Sequence, residues 1–156
     1  MRVITAPNVY ERRNGDSTVF LAGGITNCPN WQETVISHAK FAFSDKESLV
    51  ILNPRRENFD VSNKRVSEQQ IEWEHKMLET CGSVVFWFPK ETLCPITLYE
   101  LGCYTEKKKN LIVGVDPHYG RKLDVTTQTL LRRPELTIYT GFDNFLGAVG
   151  KLLRSV

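Results

Sequence analysis

The sequence predicts an α/β domain of the doubly wound kind, with a mainly parallel five-stranded sheet and helices on both of its faces. Five short apolar runs lack polar alternation and each closes on Gly, Pro or Asp, the pattern of strands covered on both sides. Between most of them lie stretches that begin and end like helices. Alternation of this kind builds parallel sheets through right-handed crossovers.

The amino terminus, residues 1–17, is less regular and reads as an extension or a hairpin, with Asn14-Gly15 as the turn. "STVFLAGG" at 17–24 is the first core strand. "NWQETVISHAKFAF" follows Pro29 as a helix, and Asn30 stands where a cap is wanted. "SLVILNP" at 48–54 is the next strand, and "SEQQIEWEHKMLET" the next helix, opening with Ser67 and Gln70 in capping-box spacing. "SVVFWFP" at 83–89 is one of the most apolar stretches in the chain. It is followed by "PITLYELGCYTEKK", with Pro95 in the first turn and lysines in the last. "NLIVGVD" at 110–116 and "ELTIYTG" at 135–141 complete the strands. A closing helix carries Phe145, Leu146, Val149, Leu152 and Leu153 on one apolar stripe, the mark of a core face.

The chain's 156 residues, 41% hydrophobic and 24% charged, match one ordinary globular domain spanning 1–156. A formal charge of +2 announces neither a nucleic-acid nor a membrane surface, and runs such as "EKKKN" read as solvated faces. No window approaches membrane-spanning length and the amino terminus has no signal-peptide core, so a cytoplasmic protein is expected. Cys28, Cys81, Cys94 and Cys103 lack CxxC spacing, and His38, His75 and His118 are scattered. Neither a zinc site nor another cofactor is expected, and the cysteines read as small core residues.

Sheets of this class bind ligands at the carboxyl ends of their strands. That edge collects "AGGIT", "NPRRENFD", "PKETLCPITLYE" and "DPHYGRK". Gly23 and Gly24 permit close backbone approach, but "AGGIT" is neither GxGxxG nor GxxxxGK, so no dinucleotide or triphosphate reading follows. Glu100 falls in the opening turns of the helix after "SVVFWFP". The helix amino terminus favours its ionised form while Phe86, Phe88 and Leu98 keep water away. A carboxylate held charged in a dry cleft can attack an anomeric carbon and carry a sugar covalently.

Taken in order, "VFLAGGIT", Trp31, "ILNPRRENFD", "QQIEWE" and "PITLYELG" resemble the nucleoside 2-deoxyribosyltransferase-like superfamily. The resemblance runs from about Val19 to about Val115. It implies a flavodoxin-like sheet, a homo-oligomer whose neighbouring subunit can complete the pocket, and a nucleophilic glutamate in the "ELG" motif, here Glu100. Glu74 of "IEWEHK" matches the acidic residue that orients the base or a proton donor, and Gly23, Gly24 and Ile25 form the loop that lines the sugar. The chain departs from the pattern at Cys94, where many members carry an aspartate, and at Cys81-Gly82, which opens the third strand without an acid. Asp60 or Glu74 is then left to protonate the departing base.

Other candidates carry two readings each. Arg55 and Arg56, after Asn53, could grip a 5'-phosphate or pair with Glu57 and Asp60. Trp31 and Trp73 could stack on a base or fill the core. The expected partner is a small nucleoside or nucleotide, cleaved by base exchange or hydrolysis. A TIR-like NAD glycohydrolase and a non-catalytic nucleotide-binding module remain the alternatives.

Overall fold

The computed structural model describes residues 1–57, 59–60, 62–107 and 109–156; Asn58 of "NPRRENFD" and Lys108 of "EKKKN" lie outside the described residues. Among the described residues six strands and five helices follow in the order β1 (Arg2–Thr5), β2 (Ser17–Gly23), α1 (Trp31–Phe43), β3 (Leu49–Asn53), α2 (Lys64–Thr80), β4 (Ser83–Phe88), α3 (Pro95–Glu106), β5 (Asn110–Val115), α4 (Lys122–Arg132), β6 (Ile138–Thr140) and α5 (Phe142–Ser155). They form one sheet with strand order β1-β3-β2-β4-β5-β6, and every neighbouring pair is parallel. Without β1 this is the flavodoxin-like order, whose direction reverses between β2 and β4.

Parity along each strand builds two cores, because successive side chains point to opposite faces. Val19 and Leu21 join Ile51, Val85 and Trp87 beneath α1 and α5. Phe20 and Ala22 join Val50, Leu52, Val84 and Phe86 beneath α2, α3 and α4. The closing helix buries the expected stripe, with Phe145, Val149 and Leu153 fully enclosed.

Three expectations need correction. The sheet has six strands instead of five, because "RVIT" near the amino terminus pairs with β3 through Arg2–Val50 to Thr5–Asn53. Asn14-Gly15 does form a turn, with Asp16 N–H donating to the Arg13 carbonyl at 3.1 Å, but β1 and β2 are not neighbours and no hairpin results. The second helix begins earlier than Ser67: Asn63 is its cap and accepts from the Val66 N–H at 3.3 Å. Ser67 lies inside the helix, its N–H bonded to the Asn63 carbonyl. Asn30 caps α1 as expected, accepting from the Glu33 N–H at 3.1 Å. Helix α4 had no counterpart in the reading of the sequence; its threonines and glutamine resemble loop composition, and it buries only Val125 and Thr129.

Candidate active site

The direction reversal between β2 and β4 opens a cleft of about 760 Å³ between the loops that leave these strands and the facing sides of α2 and α3. Gly23, Gly24 and Ile25 form one wall, Cys94 and Thr97 another, and Glu74 and Glu100 lie within it.

Gly24 has room for no side chain: a Cβ there would sit 2.6 Å from the Pro89 ring and 3.1 Å from each of the Cys28 and Cys94 sulfurs. At Gly23 a Cβ would run into the Trp87 carbonyl and the Trp31 ring. The glycines are therefore required first by the close approach of the protein's own backbone and side chains. Cys94 turns its backbone left-handed at φ +48° immediately before Pro95 opens α3, and its thiol is pushed up to about 12 by burial and the nearby Cys28.

The loop after β2 is tied from behind. The Gly24 carbonyl accepts from Trp31 Nε1 at 2.9 Å and from Gln32 Nε2 at 3.2 Å. Arg55 donates to the Pro29 carbonyl at 2.9 Å, the Cys28 carbonyl at 3.0 Å and Gln32 Oε1 at 3.3 Å, and its own N–H is held by Asn53 Oδ1 at 3.1 Å. Trp31 packs edge-on against Phe145 in the core on the opposite side of the sheet. Trp31, Asn53 and Arg55 thus support the loop and do not line the cleft. Trp73 is likewise core, its ring 6.1 Å from Phe20 and its Nε1 donating to the Asn8 carbonyl.

Arg56 does line the cleft; it reaches Gln69 Oε1 at 3.4 Å and lies 5.5 Å above the Phe59 ring. Asp60 is exposed outside it. Hydrogen bonds from the Ser62 hydroxyl and N–H, at 2.6 and 3.0 Å, hold its carboxyl below the usual range, which leaves it no proton to give near neutrality. His118 is also exposed, in the loop after β5.

Glu100 departs from the expectation of a held negative charge. Glu100 is the sixth residue of α3, past the first turn where the helix dipole is felt. Burial prevails and, with the charge of Glu74 added, pushes its carboxyl up to about 8. Burial raises Glu74 as well, opposed by a hydrogen bond from Gln70 Nε2 at 2.9 Å. Near neutral pH the pair therefore holds a proton. Gln70 was read only as a capping residue; its spacing of four from Glu74 on one helix was the available signal.

Among the described residues no group of three or more His, Cys, Asp or Glu side chains is arranged to hold a metal ion, and no helix is long and apolar enough to cross a membrane.

Among curated proteins none matches the chain. A protein-family model described as nucleoside 2-deoxyribosyltransferase like matches residues 16–119, a span that includes the glycine loop, both cleft carboxyls and Cys94. With more than half of its length matched, the chain belongs to the nucleoside 2-deoxyribosyltransferase-like family.

Proposed function

We propose that the protein cleaves the N-glycosidic bond of a nucleoside, deoxynucleoside or nucleoside 5'-monophosphate through a covalent glutamyl-sugar intermediate on Glu100. Membership of the family supports a general role in nucleoside glycosyl transfer. The observation that carries the finer reading is the presence of Glu100 and Glu74 in one cleft at the switch point of the sheet, where burial and the charge of Glu74 raise Glu100.

The pair supplies both groups that the chemistry needs. With substrate bound, the proton passes to Glu74 and an ionised Glu100 oxygen attacks the anomeric carbon. The bond to the base nitrogen breaks, and that nitrogen takes the proton from Glu74. Water or a second base, giving up a proton to the Glu74 carboxylate, then attacks the glycosyl ester and returns Glu100 as a carboxylate, with net retention. Of the two candidate proton donors Glu74 lines the cleft and Asp60 does not, and Cys94, with its thiol proton firmly held, stands in the wall as a neutral residue.

Arg56 is the cleft guanidinium available for a 5'-phosphate. Ile71, Ile96 and Tyr99 line the cleft at 63%, 65% and 74% exposure, an apolar rim suited to a second copy of the chain in a homo-oligomer.

Incubation with deoxynucleosides, ribonucleosides, their 5'-monophosphates and NAD, with and without a free base, tests the reading when base release and exchange are followed by chromatography. Exchange only with added base identifies a transferase, and release without it a hydrolase. Cleavage of NAD alone favours a glycohydrolase, and no turnover by any of them removes the enzymatic reading.

A further inference from the structure

Thr97 is the third residue of α3 and lines the cleft, yet it is only 5% exposed. Two other helical threonines spend their hydroxyls on the carbonyl four residues back, Thr105 on Leu101 at 2.6 Å and Thr80 on Lys76 at 2.8 Å. For Thr97 that carbonyl belongs to Leu93, ahead of the helix, where Cys94 turns the backbone left-handed at φ +48° and where Tyr119 Oη donates instead at 2.7 Å. The Thr97 hydroxyl is left without a hydrogen bond among the described residues. Among those residues the enclosed polar side-chain atoms that lack a partner are Arg2 Nε and Gln70 Oε1, so the Thr97 oxygen is not enclosed and opens on the cleft. Close packing holds the rest of the residue in place, and a hydroxyl so fixed can both donate and accept.

Its position on α3 selects the part of a ligand that it meets. Thr97 shares a helix face with Glu100 three residues on, a spacing that separates Cβ atoms by about 5–6 Å. Three residues back, the Cys94 sulfur closes on Gly24 of the loop after β2. Glu74 reaches the cleft from α2.

We propose that Thr97 is a substrate-binding residue that sets the sugar preference, its side-chain oxygen forming a hydrogen bond with a hydroxyl of the bound sugar. This rests on the glycosyl reading: with Glu100 at the anomeric carbon and the base leaving toward Glu74 on α2, the sugar lies along α3 and the glycine loop. Thr97 stands on that wall, between Glu100 and the residue that touches the loop.

The test measures catalytic efficiency on nucleosides of the common bases and on their 2'-, 3'- and 5'-deoxy forms, for the wild type, Thr97→Val and Thr97→Ser. Valine keeps the shape and removes the hydroxyl, whereas serine keeps the hydroxyl. For one pair the ratio of hydroxylated to deoxy substrate should fall about fivefold or more in Thr97→Val and return in Thr97→Ser. The pair that responds identifies the hydroxyl. Each ratio is taken within one protein and compared with the wild type's own, so intrinsic reactivity and any general loss of activity cancel. Thr97→Ala serves if the valine variant does not fold.

Ratios unchanged in every pair would overturn the proposal and leave Thr97 as a neighbour of Glu100, a role that affects all substrates alike. Calorimetric titration of the same pairs into Glu100→Ala, with and without Thr97→Val, separates this from the glycosyl reading. Without wild-type turnover, a binding preference that Thr97→Val abolishes would remove the glycosyl chemistry and keep Thr97. No binding by any nucleoside, or binding that Thr97→Val leaves unchanged, would then remove both.

Discussion

Glu74 on α2 and Glu100 on α3 line one cleft, and the charge of the first helps to keep the second protonated. Among the described residues no cationic side chain acts on either carboxyl; the influence opposing the shift of Glu74 is the Gln70 amide. Two carboxyls coupled in this way titrate as a pair.

Stability should depend on pH through this pair. Glu100 keeps its proton up to about pH 8 in the folded chain and releases it near 4.5 when unfolded. Between those values the folded state binds more protons, so stability falls as pH rises across the window and the contribution is complete only below its lower end. The melting temperature should drop from pH 5 to pH 8. Glu100→Gln should flatten this slope and melt higher than the wild type at pH 8, by about 4 °C or more. A wild-type slope that the substitution leaves unchanged would assign the pH dependence elsewhere.

Glu100→Gln should also abolish covalent transfer while leaving the cleft able to bind. A loss of about 10⁴-fold in turnover is expected, with nucleoside affinity retained. Trapping of a glycosyl-protein adduct with a slow substrate, seen by mass spectrometry in the wild type alone, checks the same point. Full cleavage by the variant would rule out Glu100 as the nucleophile.

Glu74→Gln removes the proposed proton donor and the charge that helps to lift Glu100. Turnover should fall by about 10²- to 10⁴-fold for natural nucleosides and much less for a substrate whose leaving group needs no proton. The ionisation that limits activity on the acid side should move to lower pH as the repulsion disappears. An unshifted pH–rate profile would mean that the two carboxyls do not interact in catalysis.

The neighbouring arginines should separate cleanly. Arg55→Ala removes three hydrogen bonds that hold the glycine loop, so it should cost about 1–3 kcal/mol of stability and impair phosphorylated and unphosphorylated substrates alike. Arg56→Ala should leave the melting temperature nearly unchanged and raise KM about tenfold or more for a 5'-monophosphate only. Equal effects of Arg56→Ala on both substrates would remove its phosphate role.

Gly24→Ala tests the crowding behind the glycine loop. The added methyl group meets the Pro89 ring and two sulfurs, so a loss of about 1–3 kcal/mol in stability is expected from denaturant unfolding. Tolerance without loss would show that the loops can move apart.

The layered fold was legible because its signals are local. Apolar runs such as "LVILN" and "SVVFWF", and the cap at Asn30, report on their own surroundings wherever the chain goes. β1 was missed because "RVIT" is short and half-exposed at a sheet edge, and α4 because it buries little of itself. Motif order likewise pointed to Glu74, Glu100 and the glycine pair, which line one cleft. Trp31, Asn53 and Arg55 share those motifs, yet strand parity and loop direction turn them to the support of the loop, which no spacing along the chain reveals. The charge of Glu100 was misjudged for the same reason. A helix dipole follows from local position, whereas burial between two helices and repulsion from Glu74 arise only once α2 and α3 flank one cleft. Local chemistry along the chain therefore set the elements and supplied the candidate groups; tertiary packing decided which of them line the cleft, which are spent on scaffolding, and which way Glu100 is shifted, because desolvation and through-space charge depend on neighbours that are remote in sequence.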